Sequence, residues 1–209
     1  MNKLMAEFFL GTVLALPVLA QAQDLAPEAL AKKVTEEVIA IIRTDKDIQA
    51  GSTSKVYDLV ETKVVPHFNF VRMTRLAVGA PWRQATPPQQ QSLTSEFRTL
   101  LVHTYTSAFT QYRDQVIDYR PLKAQPTDTE VVVRSMIKQK GGADPIEVNY
   151  SMEKTDQGWK VYDVTIAGIS LVQNYRSSFN TEVQKSGIDG LIASLAAKNK
   201  TLSQQTAKR

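Results

Sequence analysis

The side chains of this sequence that could do chemistry are two histidines, one aspartate inside a predicted strand and a group of arginines. Neither His67 nor His103 has a carboxylate or a second histidine at metal-ligand spacing, and the chain contains no cysteine. A zinc or thiolate site is therefore not expected. No G-x-S-x-G elbow, glycine-rich phosphate loop or S-x-x-K motif is present, so nucleophilic catalysis has no visible starting group. The sequence predicts no metal, no cofactor and no catalytic residue.

Asp163 and His103 are the two candidates for a general base. Asp163 interrupts the last predicted strand, between Tyr162 and Val164. A carboxylate inside a cone-shaped α+β domain could act as a base if burial raised its pKa. Such a base needs a group that stabilises the developing charge, and the sequence shows none nearby. The alternatives are an outward-facing, hydrogen-bonded aspartate and a packed or surface histidine.

A mixed basic and aromatic cluster joins two predicted helices. It consists of Arg72, Arg75, Trp82 and Arg83. Such a cluster can clamp a connecting loop around a buried tryptophan. It can also hold an anionic head group at the mouth of a cavity through arginine hydrogen bonds to phosphate.

The N-terminus has the three-part plan of a secretory signal peptide: Lys3, an apolar run over 8–20, and the small-x-small triplet Ala20-Gln21-Ala22. The apolar run is shorter than the roughly 20 residues of a membrane span, so we expect cleavage after Ala22 and export. The predicted organisation is a signal peptide over 1–22, a single domain over 23–200 and a polar tail over 201–209.

The composition narrows the choice of partner and of stabilising interactions. Without cysteine, an exported domain must be stabilised by packing alone, and this chain is long enough to bury a sizeable core. The net charge of +4 comes from scattered lysines and arginines rather than from a basic block. Nucleic-acid binding is therefore not expected.

The spacing of apolar residues predicts helices in the first half of the chain. Helical spacing covers 27–43, 56–66 and 70–78. Thr86-Pro87-Pro88-Gln89 then combines a capping box with proline at the first helical position, and a long helix to about residue 112 should follow.

Alternation with period two predicts strands over 116–122, 129–139, 146–153 and 159–166. Helical spacing returns from Ser170, is stopped by Gly187, and resumes over 190–199. This order predicts an α+β fold in which helices pack on one face of a curved antiparallel sheet of about four strands. A sheet that curls around its helices can enclose an apolar space.

Three segments resemble one family. The stretch FNFVRMTRLAVGAPWRQATPPQQQSLTSEFRTLLVHTYTSAF, over 68–109, is similar to the hallmark F-x-R-M-x-R-x-x-x-G-x-x-W-R-x-A-[ST]-x-x-Q of the MlaC, or toluene-tolerance auxiliary, family. WKVYDVTIAGISLVQNYRSSF and GIDGLIASL resemble its C-terminal signatures. One departure is Ala167, where many members are expected to carry an acidic residue.

The resemblance implies a monomeric periplasmic phospholipid carrier with an NTF2-like, cone-shaped fold and an acyl-chain pocket. Its implied partners are a phospholipid, an outer-membrane lipoprotein–porin complex and an inner-membrane ABC transporter with MCE domains. The implied role is to maintain the lipid asymmetry of the outer membrane. Carrying a two-chain lipid means shielding on the order of 30 methylenes, about 25 kcal/mol of apolar hydration. The expected pocket is therefore large, about 1,000 Å³.

We expect the pocket wall to come from the long helix, the inner sheet face and the segment after the last strand. The predicted wall residues are Phe97, Leu101, Tyr105, Val131, Val133, Ile146, Val148, Tyr150, Tyr162, Val164, Ile166, Ile169, Val172 and Tyr175. The predicted residues of the mouth, or of a docking surface, are Arg72, Arg75, Trp82 and Arg83.

Two other functions remain open from the residues alone. The first is a cone-shaped enzyme that acts on a hydrophobic substrate with Asp163 or His103 as base. The second is a periplasmic adaptor or chaperone whose apolar surface meets protein rather than lipid.

Overall fold

The computed structural model describes residues 25–110, 115–125, 127–139, 141 and 143–207. The predicted signal peptide and its cleavage site lie outside the described residues. Within them the chain has the predicted α+β architecture, with helices before and after an open antiparallel sheet. The sheet has five strands in the order β1-β2-β3-β4-β5, so it is one strand larger than expected.

The N-terminal helices follow the predicted apolar spacing, with one irregularity. Helix α1 spans Pro27–Thr44, α2 spans Lys46–Gln49 and α3 spans Thr53–Leu59. The chain then continues as a π-helical turn, Val60–Val64, and a 3₁₀ turn, Val65–His67. The segment predicted as one helix over 56–66 is therefore three short helical pieces. The proline at position 66 cannot donate to an α-helical ladder and marks their end.

The next two helices begin and end at residues with recognisable signals. Helix α4 spans Phe70–Val78 and stops at Gly79, whose φ is 72°. A 3₁₀ turn, Ala80–Arg83, leads to α5, Pro87–Thr110. The predicted capping box is present, because Gln89 N donates to Thr86 Oγ1 at 3.4 Å and Thr86 N donates to Gln89 Oε1 at 2.9 Å.

The strands form a meander in which each pairs with the next. Their bounds are Val116–Tyr119 for β1, Glu130–Lys138 for β2, Ile146–Thr155 for β3, Gly158–Ile166 for β4 and Ile169–Ser170 for β5. The β3–β4 register shifts between Ser151 and Met152, so Tyr162 has no partner in the ladder. Such a bulge reverses the faces to which the following side chains point.

The last helix, α6, spans Leu171–Ala207 and is broken at Gly187 (φ 72°, ψ −175°). The break occurs where the sequence predicts it. The helix continues past residue 199, however, so the segment predicted as a polar tail is helical through Ala207.

Three apolar clusters stabilise the fold. The helical cluster joins α4, α5 and α6, and its centre includes Met73, Leu93 and Phe97, each at most 1% exposed. The N-terminal cluster joins α1 to α3 with α5. The sheet cluster lies on the inner face of β2 to β4. Across the part of the chain that the structure describes, no helix combines the length and apolarity needed to span a bilayer.

Candidate functional site

An apolar cavity of about 360 Å³ lies where the N-terminal and sheet clusters face each other. Most of its wall comes from the inner side of α1, the π-helical turn with the 3₁₀ turn after it, the second half of α5, and the inner face of the sheet. Phe70 and Met73 of α4 and Leu171 at the start of α6 complete it. The volume is about a third of the roughly 1,000 Å³ expected from the size of a two-chain lipid. The reason is that α1 packs directly on the sheet cluster through Leu30 and Ala31, which narrows the space.

Six of the predicted wall residues line this cavity: Leu101, Tyr105, Val148, Tyr150, Val164 and Ile166. The two from α5 are one helical turn apart, and the four from the sheet alternate along β3 and β4. For these six residues, helical phase and strand alternation therefore indicated the faces of α5, β3 and β4 on which they lie. Whether they contact a lipid stays a prediction.

Three predicted wall residues belong instead to the helical cluster. Phe97 makes edge-on ring contacts with Tyr175 and Phe179 at centroid distances of 5.1 Å. Val172 is buried in the same cluster. They do not line the cavity: Phe97 lies on the first half of α5, which packs against α4 and α6, and Val172 and Tyr175 lie on α6 itself.

The remaining differences concern the sheet. Val131 and Val133 face inward, but they are buried in the sheet cluster, and Ile146 packs against that cluster without lining the cavity. Tyr162 is the extra residue of the bulge and its ring lies under the Arg72 guanidinium, outside the cavity. Val161 lines the cavity in its place. Ile169 is 61% exposed on β5.

Arg72 does not stand at the cavity wall. Its guanidinium binds Glu153 at 2.5 Å and Glu130 at 2.7 Å, and lies 3.6 Å above the centre of the Tyr162 ring. Asn69 Nδ2 donates to Glu153 at 2.7 Å from the same side. Because Glu130 is on β2, Glu153 on β3 and Tyr162 on β4, this group ties the start of α4 across three strands. We call these five residues the Arg72 clamp.

The other three residues of the basic cluster also lie away from the cavity. Trp82 is buried in the helical cluster, and its carbonyl accepts a hydrogen bond from Gln90 Nε2 at 3.1 Å. Arg75 on α4 and Arg83 on the 3₁₀ turn are exposed and do not line the cavity. A docking role for these arginines stays a prediction.

Neither candidate base lines the cavity. The Asp163 carboxylate accepts hydrogen bonds from Ser170 Oγ at 2.5 Å and from Val172 N at 3.1 Å, so it fixes the start of α6 against β4. His103 packs against Tyr57 with ring centroids 5.2 Å apart, and burial lowers the pKa of its imidazole. Among the described residues, no group of three or more His, Asp or Glu is placed to hold a metal ion.

The cavity wall contains a few polar side chains, and most of them are already hydrogen-bonded within the protein. Thr35 Oγ1 and the Tyr119 hydroxyl are 2.7 Å apart, and Thr106 Oγ1 donates to Val102 O at 2.6 Å. Burial, and then Tyr175, raise the pKa of Tyr105 to about 12. Burial also raises the pKa of Tyr150 above its usual range, so both phenols are neutral at physiological pH. The wall therefore presents almost no unsatisfied polar group to the cavity.

The sequence did not single out the α1 side of the wall. Val34, Val38, Ile39 and Ile42 line the cavity, as do Val60 and Val64 of the π-helical turn. The apolar stripe of α1 was visible in the sequence. Its spacing could not indicate whether the stripe faces a filled core or a cavity, because both require the same residues.

Comparison with known proteins identifies the family. The model of the MlaC protein family matches residues 32–197. The chain belongs to the MlaC family. One solved structure matches with 38% sequence identity and a TM-score of 0.79, and the match covers 86% of this chain and 99% of the other. It is a phospholipid-binding protein from Ralstonia solanacearum in complex with a phospholipid.

Two more distant members are similar over most of their length. The toluene tolerance protein ttg2D of Pseudomonas putida is 24% identical over 176 residues, which are 84% of this chain and 80% of that protein. The intermembrane phospholipid transport system binding protein MlaC of Haemophilus influenzae is 22% identical over 174 residues, 82% of this chain and 81% of that protein. The resemblance read from the sequence motifs is therefore confirmed.

Proposed function

We propose that this MlaC-family chain is a periplasmic phospholipid carrier. It moves lipid between an outer-membrane lipoprotein–porin complex and an inner-membrane ABC transporter with MCE domains, after export and cleavage at Ala22. The observation that carries the proposal is the apolar cavity between α1, α5 and the inner sheet face. The phospholipid bound by the Ralstonia solanacearum protein supports it.

The size of the cavity determines how such a carrier must work. A volume of about 360 Å³ is at the lower end of the range for small-molecule pockets, so a two-chain lipid requires the wall to move. Helix α1 is held to the β1 side of the sheet by the Thr35–Tyr119 hydrogen bond and by Glu28, which accepts from Leu122 N at 2.9 Å. Separation of α1 from the sheet would enlarge the cavity. Binding of a partner protein would favour that open state if it binds it more tightly.

Mass spectrometry of lipid extracted from the purified protein tests the proposal. We expect about one phospholipid per chain for the wild type. Val148→Trp places a large ring in the cavity from the sheet side, so it should lose most of that lipid. Ile39→Trp repeats the test from the opposite wall, on α1.

Glu147→Trp is the matched control, since Glu147 is the exposed neighbour of Val148 on the same strand. It should keep the wild-type lipid content. Circular dichroism establishes that each variant is folded. Wild-type protein without phospholipid, or equal lipid content in all three folded variants, would contradict the proposal. Turnover of a hydrophobic substrate that is lost in Asp163→Asn would instead favour the enzyme.

A further inference from the structure

The His67 imidazole is a polar group of the cavity wall that has no hydrogen bond to another described residue. It ends the 3₁₀ turn and lines the cavity while remaining half-buried. Thr35, Thr106, Tyr105 and Tyr150 each have a partner within the protein. No such bond reaches the imidazole of His67 from another described residue. An imidazole at the edge of an apolar cavity thus keeps its hydrogen-bonding capacity for a group that enters.

Two lysines, Lys160 and Lys33, contribute positive charge at this histidine, and a third, Lys63, lies on the preceding π-helical turn. Lys160 Nζ donates to the carbonyl of Pro66 at 2.7 Å, which places an ammonium beside the turn that carries His67. Lys63, on the π-helical turn, pairs with Glu37 of α1 at 3.8 Å. Lys33 lies one helical turn before Glu37, on the same side of α1. Within the described residues neither Lys33 nor Lys160 has an ion pair with a carboxylate, so positive charge exceeds negative charge here.

We propose that His67, Lys33 and Lys160 form a subsite for a phosphate group, namely the head-group phosphate of the lipid whose acyl chains occupy the cavity. This subsite rests on the proposed carrier function. Lysine ammonium groups and an imidazole N–H are donors suited to phosphate oxygens. The location at the cavity edge keeps the rest of the head group in water, so the subsite recognises phosphate without selecting the alcohol esterified to it.

The electrostatics of His67 agree with this geometry. Burial lowers the pKa of the imidazole first, Lys160 and Lys33 lower it further, and Glu37 opposes them. The burial contribution disfavours any charge at this position, whereas the contribution of Lys160 and Lys33 is a positive potential, which favours a nearby anion.

A competition experiment tests the subsite. Delipidated protein is incubated with vesicles that contain phosphatidylglycerol and diacylglycerol with identical chains in equal amounts, and the bound lipids are counted by native mass spectrometry. A charge-assisted hydrogen bond at a partly exposed site corresponds to roughly a tenfold preference for the phospholipid. We expect Lys33→Gln and His67→Leu each to reduce that preference to about threefold or less. Lys32→Gln is the matched control, since Lys32 is the exposed neighbour that lies 3.9 Å from Glu36 instead; it should keep the wild-type preference.

Equal loading of both lipids by the wild type, or a full preference in both Lys33→Gln and His67→Leu, would overturn the subsite while leaving the carrier function standing. A titration with inorganic phosphate, followed by the NMR signal of His67, separates the two sources of phosphate. A shift that disappears when phospholipid is bound supports the head-group assignment. A shift that persists in the loaded protein assigns the site to free phosphate and refutes it. If neither lipid binds, the carrier function fails, and the absence of a phosphate shift would refute the anion site as well.

Discussion

Replacement of Arg72 by methionine should destabilise the protein strongly without touching the cavity. The Arg72 and Glu153 side chains are only 16% and 17% exposed, so their pair is largely shielded from water, whereas Glu130 is 53% exposed. Loss of a hydrogen bond to a charged group costs about 1.5–3 kcal/mol. Loss of the stacking on Tyr162 adds about 0.5–1 kcal/mol. The exposed Glu130 pair adds little.

The expected loss in the free energy of unfolding is therefore about 2–4 kcal/mol for Arg72→Met. In a domain of this size it corresponds to a fall in Tm of about 5–15 °C. Urea unfolding followed by circular dichroism measures it, with the m value as a check that the compactness of the unfolded state has not changed. The control is Arg75→Met, at an exposed position on the same helix, which should stay within about 0.5 kcal/mol of wild type.

A double variant separates the contribution of the Arg72–Glu153 ion pair to stability from the contribution of the packed aliphatic part of the Arg72 side chain. Arg72→Met leaves Glu153 with a part-buried charge, so the addition of Glu153→Gln should recover some of the lost stability. Arg72 also lowers the pKa of Glu130, and this contribution is present at neutral pH and lost as the pH falls through that depressed value. If Arg72→Met is as stable as Arg75→Met, the Arg72 clamp does not hold α4 to the sheet and the reasoning is wrong.

Two further predictions concern residues outside the cavity. Phe97→Ala should lower the free energy of unfolding by about 3–5 kcal/mol, because Phe97 is fully buried between two aromatic rings. The folded variant should nevertheless keep its bound lipid. Loss of lipid without loss of stability would instead place Phe97 in the cavity wall. Burial lowers the pKa of His103, so between that value and the usual 6.5 the unfolded chain binds more protons and stability rises with pH. His103→Leu should show a smaller stability difference between pH 5.5 and 7.5 in urea unfolding than wild type does; an unchanged difference would assign the effect to other groups.

The sequence predicted the elements better than it predicted the faces they present. Local signals were sufficient for α4, for the capping box at Thr86 and for the break at Gly187, because each depends on residues within a few positions. The cavity wall depends on which apolar surface meets which. Phe97 and Leu101 lie on one stripe of α5 and both belong to the helical cluster, but only Leu101 also lines the cavity. No periodicity distinguishes them.

The bulge and the Arg72 clamp show two other limits of a sequence pattern. Alternation placed Tyr162 on the same face as Val164, and the single unpaired residue reverses that assignment. The arginine at position 72 matches a family motif, and its sequence context suggested a phosphate group as one possible partner. Its actual partners are Glu130 and Glu153, 58 and 81 residues away in the chain. Contacts at such separations are not encoded in any local spacing.

The turn between β4 and β5 gives a geometric meaning to the departure at Ala167. Ile166 pairs with Ile169, so Ala167 and Gly168 form a two-residue hairpin loop, and their φ angles are 49° and 83°. Positive φ at both positions is the requirement of a type I′ turn, which prefers Asn-Gly or Asp-Gly because an alanine side chain is strained there. An aspartate at this position in other family members would thus be suited to the positive φ that the type I′ turn requires. The difference at Ala167 is therefore explained by the backbone conformation of this turn and does not indicate the loss of a functional carboxylate.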